Sequence, residues 1–168
     1  MKIAIIGYSG SGKSTLAGIL ADKYNIPILH FDTVQFLPNW VIRDQDEKIR
    51  ITKEFLDSND SWVIDGNHSK LFFDRRMEEA DEIIVMTFNR ISSLFRAYKR
   101  YRKYKGKTRP DMAEGCNEKF DFEFASWVLW KGRTKPFRER NRNVIKLYGY
   151  KATVIKNQRQ LSRYIDRL

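Results

Sequence analysis

The chain is poor in the residues that build cross-linked or metal-bound proteins. It has one cysteine, Cys116, and two histidines among 168 residues. A single thiol cannot close an internal disulfide, and one Cys with two His offers no metal-ligand spacing. A reducing compartment is the simple expectation. No apolar run approaches the roughly 18 residues of a membrane span. The start, Met1-Lys2-Ile3-Ala4-Ile5-Ile6-Gly7, has too few apolar residues before Gly7 for a signal peptide. A soluble, cytoplasmic protein is therefore expected. Low-complexity stretches are also missing, and a composition of 42% hydrophobic and 14% aromatic residues argues against disorder. The length suits one domain with a sizeable core.

Acidic residues are scarce in one segment only. Arg90 to Lys146 holds 17 basic and 6 acidic residues, and this excess equals the net +11 of the whole chain. Such a field favours a polyanion: nucleotide phosphates, a phosphorylated acceptor or nucleic acid. The plainer alternative is a solvated basic surface.

Apolar periodicity places the elements. Lys2 to Ile6 is short, β-branched and ends at glycine, as a buried strand does. A helix follows over 13–23. A second strand covers Ile28 to Phe31 and stops at Asp32. Residues 33–43 contain Pro38 and read as irregular. A helix over 44–57 has Asp44 as its N-cap. Ser61 to Ile64 is a third strand, stopped by Asp65-Gly66. A charged helix over 69–80 and a fourth strand over 82–88 follow. Then come a basic helix near 91–104, a loop over 105–117 with Gly106, Pro110 and Gly115, and a long helical region over 119–147. Lys151 to Ile155 is the fifth strand, and a helix closes the chain. Strands alternating with helices imply an α/β fold with a mostly parallel sheet.

Gly7-Tyr8-Ser9-Gly10-Ser11-Gly12-Lys13-Ser14 matches G-x-x-x-x-G-K-[ST] at every fixed position. Gly7, Gly10 and Gly12 allow the backbone to approach phosphate oxygens closely. Successive N–H groups from Ser9, Ser11 and on to Thr15, at the start of the next helix, form an anion cradle. Lys13 adds a charge at the β/γ-phosphates, and the Ser14 hydroxyl can ligate Mg²⁺. The motif needs a strand before it and a helix after it, and both are expected here. The alternative is an ordinary glycine-rich turn.

Ligands of open parallel sheets bind beyond the carboxyl ends of the strands. Asp65 and Asp32 stand at two such ends. Asp65 is the candidate for Mg²⁺, directly or through water, with a helix cap as the alternative. Asp32 can accept a proton from an acceptor hydroxyl or orient it, unless it too is a cap. His30 reads as a packed strand residue. His68 suits either a ligand contact or a surface helix start. Cys116 has no adjacent His and reads as inert.

In the basic segment, Arg96, Arg100 and Lys103 recur at helical spacing with Tyr98, Tyr101 and Tyr104 between them. Lys105, Lys107 and Arg109 follow in the loop, and Arg133, Arg138, Arg140 and Arg142 in the next helical stretch. Cations closing over a transferred phosphoryl group stabilise its charge and exclude water, so this segment reads as a lid. Basic residues with interleaved aromatics also suit nucleic acid. Phe120, Phe124, Trp127 and Val128 read mainly as a buried helix face.

These pieces together resemble the adenylate-kinase-like P-loop kinases. The chain is most similar to the bacterial group named DNA topology modulation protein, through Leu29-His30-Phe31-Asp32 with Pro38-Asn39-Trp40, Trp62-Val63-Ile64-Asp65-Gly66-Asn67, and Gly106-Lys107-Thr108-Arg109-Pro110-Asp111-Met112. The resemblance spans essentially the whole chain. It implies a three-layer P-loop NTPase fold in one domain, a five-stranded parallel sheet of order 2-3-1-4-5, and a small helical lid within about 90–146. Nucleoside monophosphate kinases usually carry an arginine soon after Asp-Gly; Asn67-His68-Ser69 stand there instead. The leading expectation is an ATP- and Mg²⁺-dependent kinase of a small acceptor, such as a nucleoside, nucleotide or related metabolite. Lys13, Asp32 and Asp65 then form its reactive centre, with Arg96, Arg100 and Arg109 as lid cations. The rivals are an ATP-binding regulator of DNA topology that binds nucleic acid through the basic segment, and a simple NTPase switch.

Overall fold

A computed structural model describes all of residues 1–168. Along strand β1 (Lys2–Gly7), Ile3 and Ile5 enter one core cluster while Ala4 and Ile6 enter another. That alternation follows from the period of two in a strand, and it requires apolar cover on both sides. Strands β5 (Trp62–Asp65) and β6 (Glu82–Met86) split in the same way, Val63 and Ile84 to one face and Ile64 and Ile83 to the other. With β2 (Ile28–His30) and β7 (Ala152–Ile155) they form one sheet, β2-β5-β1-β6-β7, paired parallel throughout. Counted along the chain, these five strands have the expected order 2-3-1-4-5.

Helices α1 (Lys13–Tyr24) and α8 (Gln158–Ile165) cover one face through Leu16, Ala17, Leu20 and Leu161. The opposite face is covered by α2 (Phe31–Gln35), α3 (Gln45–Ser58), α4 (Phe73–Glu79) and α7 (Lys135–Leu147), through Phe31, Leu56, Met77 and Val144. The fold is thus three-layered α/β. Asp44 caps α3 as expected, accepting from the Asp46 and Glu47 amides at 2.8 and 3.4 Å. Helix α5 (Arg90–Tyr104) starts at Asn89, whose side chain accepts from the Ser92 amide.

Four expectations need correction. The second strand ends at His30, and Phe31 and Asp32 already lie in α2. Residues 33–43 are ordered: α2 runs into a short hairpin of β3 (Phe36–Leu37) and β4 (Val41–Ile42), turned by Pro38–Trp40 with Asn39 and Trp40 at positive φ. The helix expected over 69–80 is shorter, because Phe72 adopts a left-handed conformation immediately before α4. The helical region expected over 119–147 is two helices, α6 (Phe122–Leu129) and α7, separated by a 3₁₀ turn at Lys131–Arg133. Pro136 enforces the restart: it fits the first turn of a helix but not its interior.

The aromatic stripe is also placed differently. Of Phe120, Phe124, Trp127 and Val128, only Val128 is fully buried. Phe120 packs against Tyr98 and Tyr101 of α5, with ring centroids 5.3 and 6.0 Å apart. These aromatics join α6 to α5 instead of filling the main core.

Candidate active site

The phosphate loop is shaped by positive φ angles and short polar contacts. Gly7 has φ +136°, and a Cβ there would collide with the Met86 carbonyl of β6. Gly12 has φ +93° and precedes α1 with no side-chain cap, so the first N–H groups of the helix stay available for an anion. Gly10 abuts the Ser93 carbonyl of α5. The Tyr8 carbonyl accepts from Ser11 Oγ at 2.7 Å and from Lys13 Nζ at 3.2 Å. Burial lowers the Lys13 pKa, against the opposing charges of Asp65 and Asp32. Ser9 Oγ accepts from Trp127 Nε1 of α6 at 3.0 Å, and Thr15 is exposed.

The structure brings the two expected metal ligands together. Ser14 Oγ donates to Asp65 Oδ2 at 2.7 Å. A hydroxyl beside one carboxylate fits Mg²⁺, which takes few protein oxygens and keeps several waters. No group of three or more His, Cys, Asp or Glu side chains is placed to hold a metal ion. Asp65 Oδ1 lies 2.6 Å from His30 Nδ1. The sheet register sets this up, since His30 pairs with Asp65 across β2 and β5. Burial would lower the His30 pKa, but the hydrogen bond and charge of Asp65 outweigh it and the net shift is upward.

Asp32 projects from the first turn of α2 with 51% of its side chain exposed. Desolvation by the surrounding protein, then the Asp65 charge, raise its carboxyl above the ordinary range, against the pull of Lys13 and Arg109. Arg109 lies 3.9 Å from Asp32. Its Nη1 donates to Asp111 Oδ2 at 2.7 Å, and its Nε sits 2.6 Å from Glu118 Oε2 as an ion pair without hydrogen-bond alignment. Arg100 Nε donates to Glu118 Oε1 at 2.7 Å. Of the three arginines expected in a lid, Arg100 and Arg109 are thus held by acidic partners. Arg96 lies against Gly12, stacks over Phe88 at 4.8 Å and donates to Gln158.

Several residues at the site make contacts that the sequence did not indicate. Asn67 clamps Gly7, accepting from its amide at 2.9 Å and donating to its carbonyl at 2.6 Å. Arg140 of α7 donates to the Asn67 carbonyl at 3.0 Å, while its Nε and Nη2 are buried without partners. Arg76, fully buried, donates to the carbonyls of Leu71, Gly66 and His68 and lies 4.4 Å over the Phe31 ring. Arg133 donates to the Val128 and Phe88 carbonyls and to Ser93 Oγ, each at 2.8 Å, and stacks 4.1 Å over Tyr8. Arginines at separations of 7 to 64 residues give no local pattern; only the fold brings them to one loop. Cys116 is buried, accepting from the Trp40 amide and donating to the Leu37 carbonyl, in agreement with an inert role.

No protein-family model and no curated protein matches the chain. Solved structures do share its fold. TT1252 from Thermus thermophilus is 14% identical with a TM-score of 0.57, over 99% of this chain and 95% of that one. A deoxyadenosine kinase from M. mycoides is 14% identical with a TM-score of 0.51, over 99% of this chain and 98% of that one. At such identity the likeness speaks for the fold alone, and neither match singles out the DNA topology modulation group. The chain has a P-loop kinase-like fold.

Proposed function

We propose that the protein is an ATP-dependent phosphotransferase acting on a small acceptor, such as a nucleoside, nucleotide or related metabolite. The observation that carries this reading is the Ser14–Asp65 contact beside Lys13, with the Asp32 carboxylate close enough to act on the same ammonium. A bare NTPase needs no second, half-exposed carboxylate beside the phosphate-loop lysine. The fold shared with a nucleoside kinase supports the same reading.

The backbone of Ser9 to Thr15 holds the phosphates, with Gly7, Gly10 and Gly12 allowing the approach. Ser14 and Asp65 would hold Mg²⁺, which would supply charge neutralisation for the phosphates. An acceptor hydroxyl beside Asp32 attacks the γ-phosphorus. The new O–P bond forms as the bond to the β-phosphate oxygen breaks, and ADP departs with that electron pair. Asp32 takes the hydroxyl proton; its raised pKa suits it to this task. Lys13 stabilises the spreading charge, joined by Arg140, whose unpartnered nitrogens lie at the Asn67 end of the loop. Arg96 lines the nucleotide side at Gly12. Arg100 and Arg109 serve as lid cations by exchanging Glu118 and Asp111 for phosphate oxygens.

ADP release from Mg·ATP, measured with a panel of nucleosides, nucleotides, other small metabolites and DNA, tests the assignment. One small molecule should stimulate it strongly. Lys13→Ala should abolish that turnover and leave the far-ultraviolet circular dichroism unchanged; near-normal turnover in this variant would sink the kinase reading.

A second reading has its own observation. Lys99, Arg102, Lys103, Lys105 and Lys107 are all exposed on α5 and the following loop, beside Tyr98. A nucleic-acid-binding regulator would use this face, with affinity falling steeply as salt rises. Neutralising Arg102 and Lys103 together should then flatten the salt dependence of DNA binding by about two units of slope. An unchanged slope speaks against a nucleic-acid role.

A further inference from the structure

Both oxygens of Asp65 are engaged. Ser14 Oγ donates to Oδ2 at 2.7 Å, and His30 Nδ1 lies 2.6 Å from Oδ1. An ionised carboxylate can only accept, so Nδ1 is the donor whether the imidazole is neutral or charged. The ring is held in place. Its backbone pairs with Asp65 across β2 and β5, its carbonyl accepts from Thr33 Oγ1 at 2.7 Å, and only 17% of the side chain is exposed.

We propose that His30 sets the metal selectivity of the nucleotide site by occupying Asp65 Oδ1, so that only Oδ2, beside Ser14, faces the cation. Mg²⁺ is satisfied by one carboxylate oxygen and retains most of its water. Ca²⁺ takes six to eight oxygens and often uses both oxygens of a carboxylate. A carboxylate pinned at one oxygen by a neighbouring strand therefore favours Mg²⁺. His30 acts through Asp65 and is a positioning residue, as outer partners of metal-ligating carboxylates commonly are. It has this role only if the phosphate loop holds Mg·ATP, as proposed above.

The test is calorimetric binding of a non-hydrolysable ATP analogue to the full chain, with Mg²⁺ or Ca²⁺ as the sole divalent ion. Wild-type protein should bind the analogue more tightly with Mg²⁺. His30→Leu should weaken Mg²⁺-supported binding about 10- to 100-fold, the usual cost of losing such a partner. Ca²⁺-supported binding should fall much less, so the preference narrows or reverses. His30→Asn, whose amide N–H can donate from near the Nδ1 position, should restore the preference. His30→Ser is too short to reach Oδ1 and tolerates a half-buried site; it must shift the preference as leucine does, and it carries the test if the leucine variant does not fold. Equal losses with both ions, or an unchanged preference, would overturn the role of His30 and leave the kinase reading standing. Metal-independent binding or no binding by wild-type protein would remove the phosphate-loop reading, and this role with it.

Discussion

At His68, the cations Arg76, Lys48, Lys13 and Arg140 lie close enough to act on a single imidazole. Burial first, and then these charges, hold its pKa down to about 4. In an unfolded chain the same ring titrates near about 6.5. The folded state therefore binds this proton less readily than the unfolded state. Stability from this group is complete above pH 6.5 and is lost as pH falls from 6.5 toward 4. Relative to His68→Asn, wild-type protein should lose about 2 kcal/mol between pH 6.5 and 5, measured by urea unfolding. Histidine-selective NMR should find one ring still neutral at pH 5. A resonance for His68 that titrates near 6.5 would show that the cations do not converge on it. The same scale shows what could be read in advance. Ser14 and Asp65 were legible because their residue types follow from phosphate and Mg²⁺ chemistry. His30 was half-legible: it ends the strand beside the one that Asp65 ends, but the single sequence marks it as an ordinary strand residue. Arg140 was legible only as one of four arginines in the second helical stretch of the basic segment, not as the one at the phosphate loop.

Between elements, the P-loop is tied to the rest of the fold through α6 and the turn that follows it. Arg133 caps the orphan Val128 carbonyl of α6, bonds the Phe88 carbonyl after β6, reaches Ser93 of α5 and stacks on Tyr8. Trp127 adds its bond to Ser9. Arg133→Ala removes its three hydrogen bonds and the Tyr8 stack at once and leaves buried acceptors unpaired, a loss of about 3 kcal/mol or more. Hydrogen exchange should then rise first in residues 122–133, ahead of the central strands. Uniform exchange across the chain would mean that Arg133 supports the whole fold and has no particular role in anchoring α6. This joint also explains why the region 119–147 was misread. Its apolar spacing is helical on both sides of Gly132, and the break depends on Pro136 and on a side chain folding back over the turn. The hairpin at 36–42 escaped notice for a similar reason: two-residue strands and a turn with Asn39 and Trp40 at positive φ have too little periodicity to register.

For the whole molecule, the parallel, doubly covered sheet was legible because β1, β5 and β6 are apolar on both faces and each is followed by a helix, whereas the strand order followed only from the resemblance to adenylate-kinase-like P-loop kinases. The distribution of charge was legible as well, but its use was not. Within 90–146, α7 contributes Val144 to the main core, while Arg100 and Arg109 are already balanced by Glu118 and Asp111. A positive segment can thus serve a phosphate lid, a packed layer and a nucleic-acid face at once, and net charge alone does not divide them. Chemistry does, because a kinase moves the γ-phosphoryl group onto an organic oxygen. The decisive measurement follows the label of γ-labelled Mg·ATP incubated with the protein and a mixed pool of nucleosides and other small metabolites. Label appearing in an organic phosphate, absent with Lys13→Ala, is the predicted result. Label released only as inorganic phosphate, and faster only when DNA is added, would contradict phosphotransfer to a small acceptor.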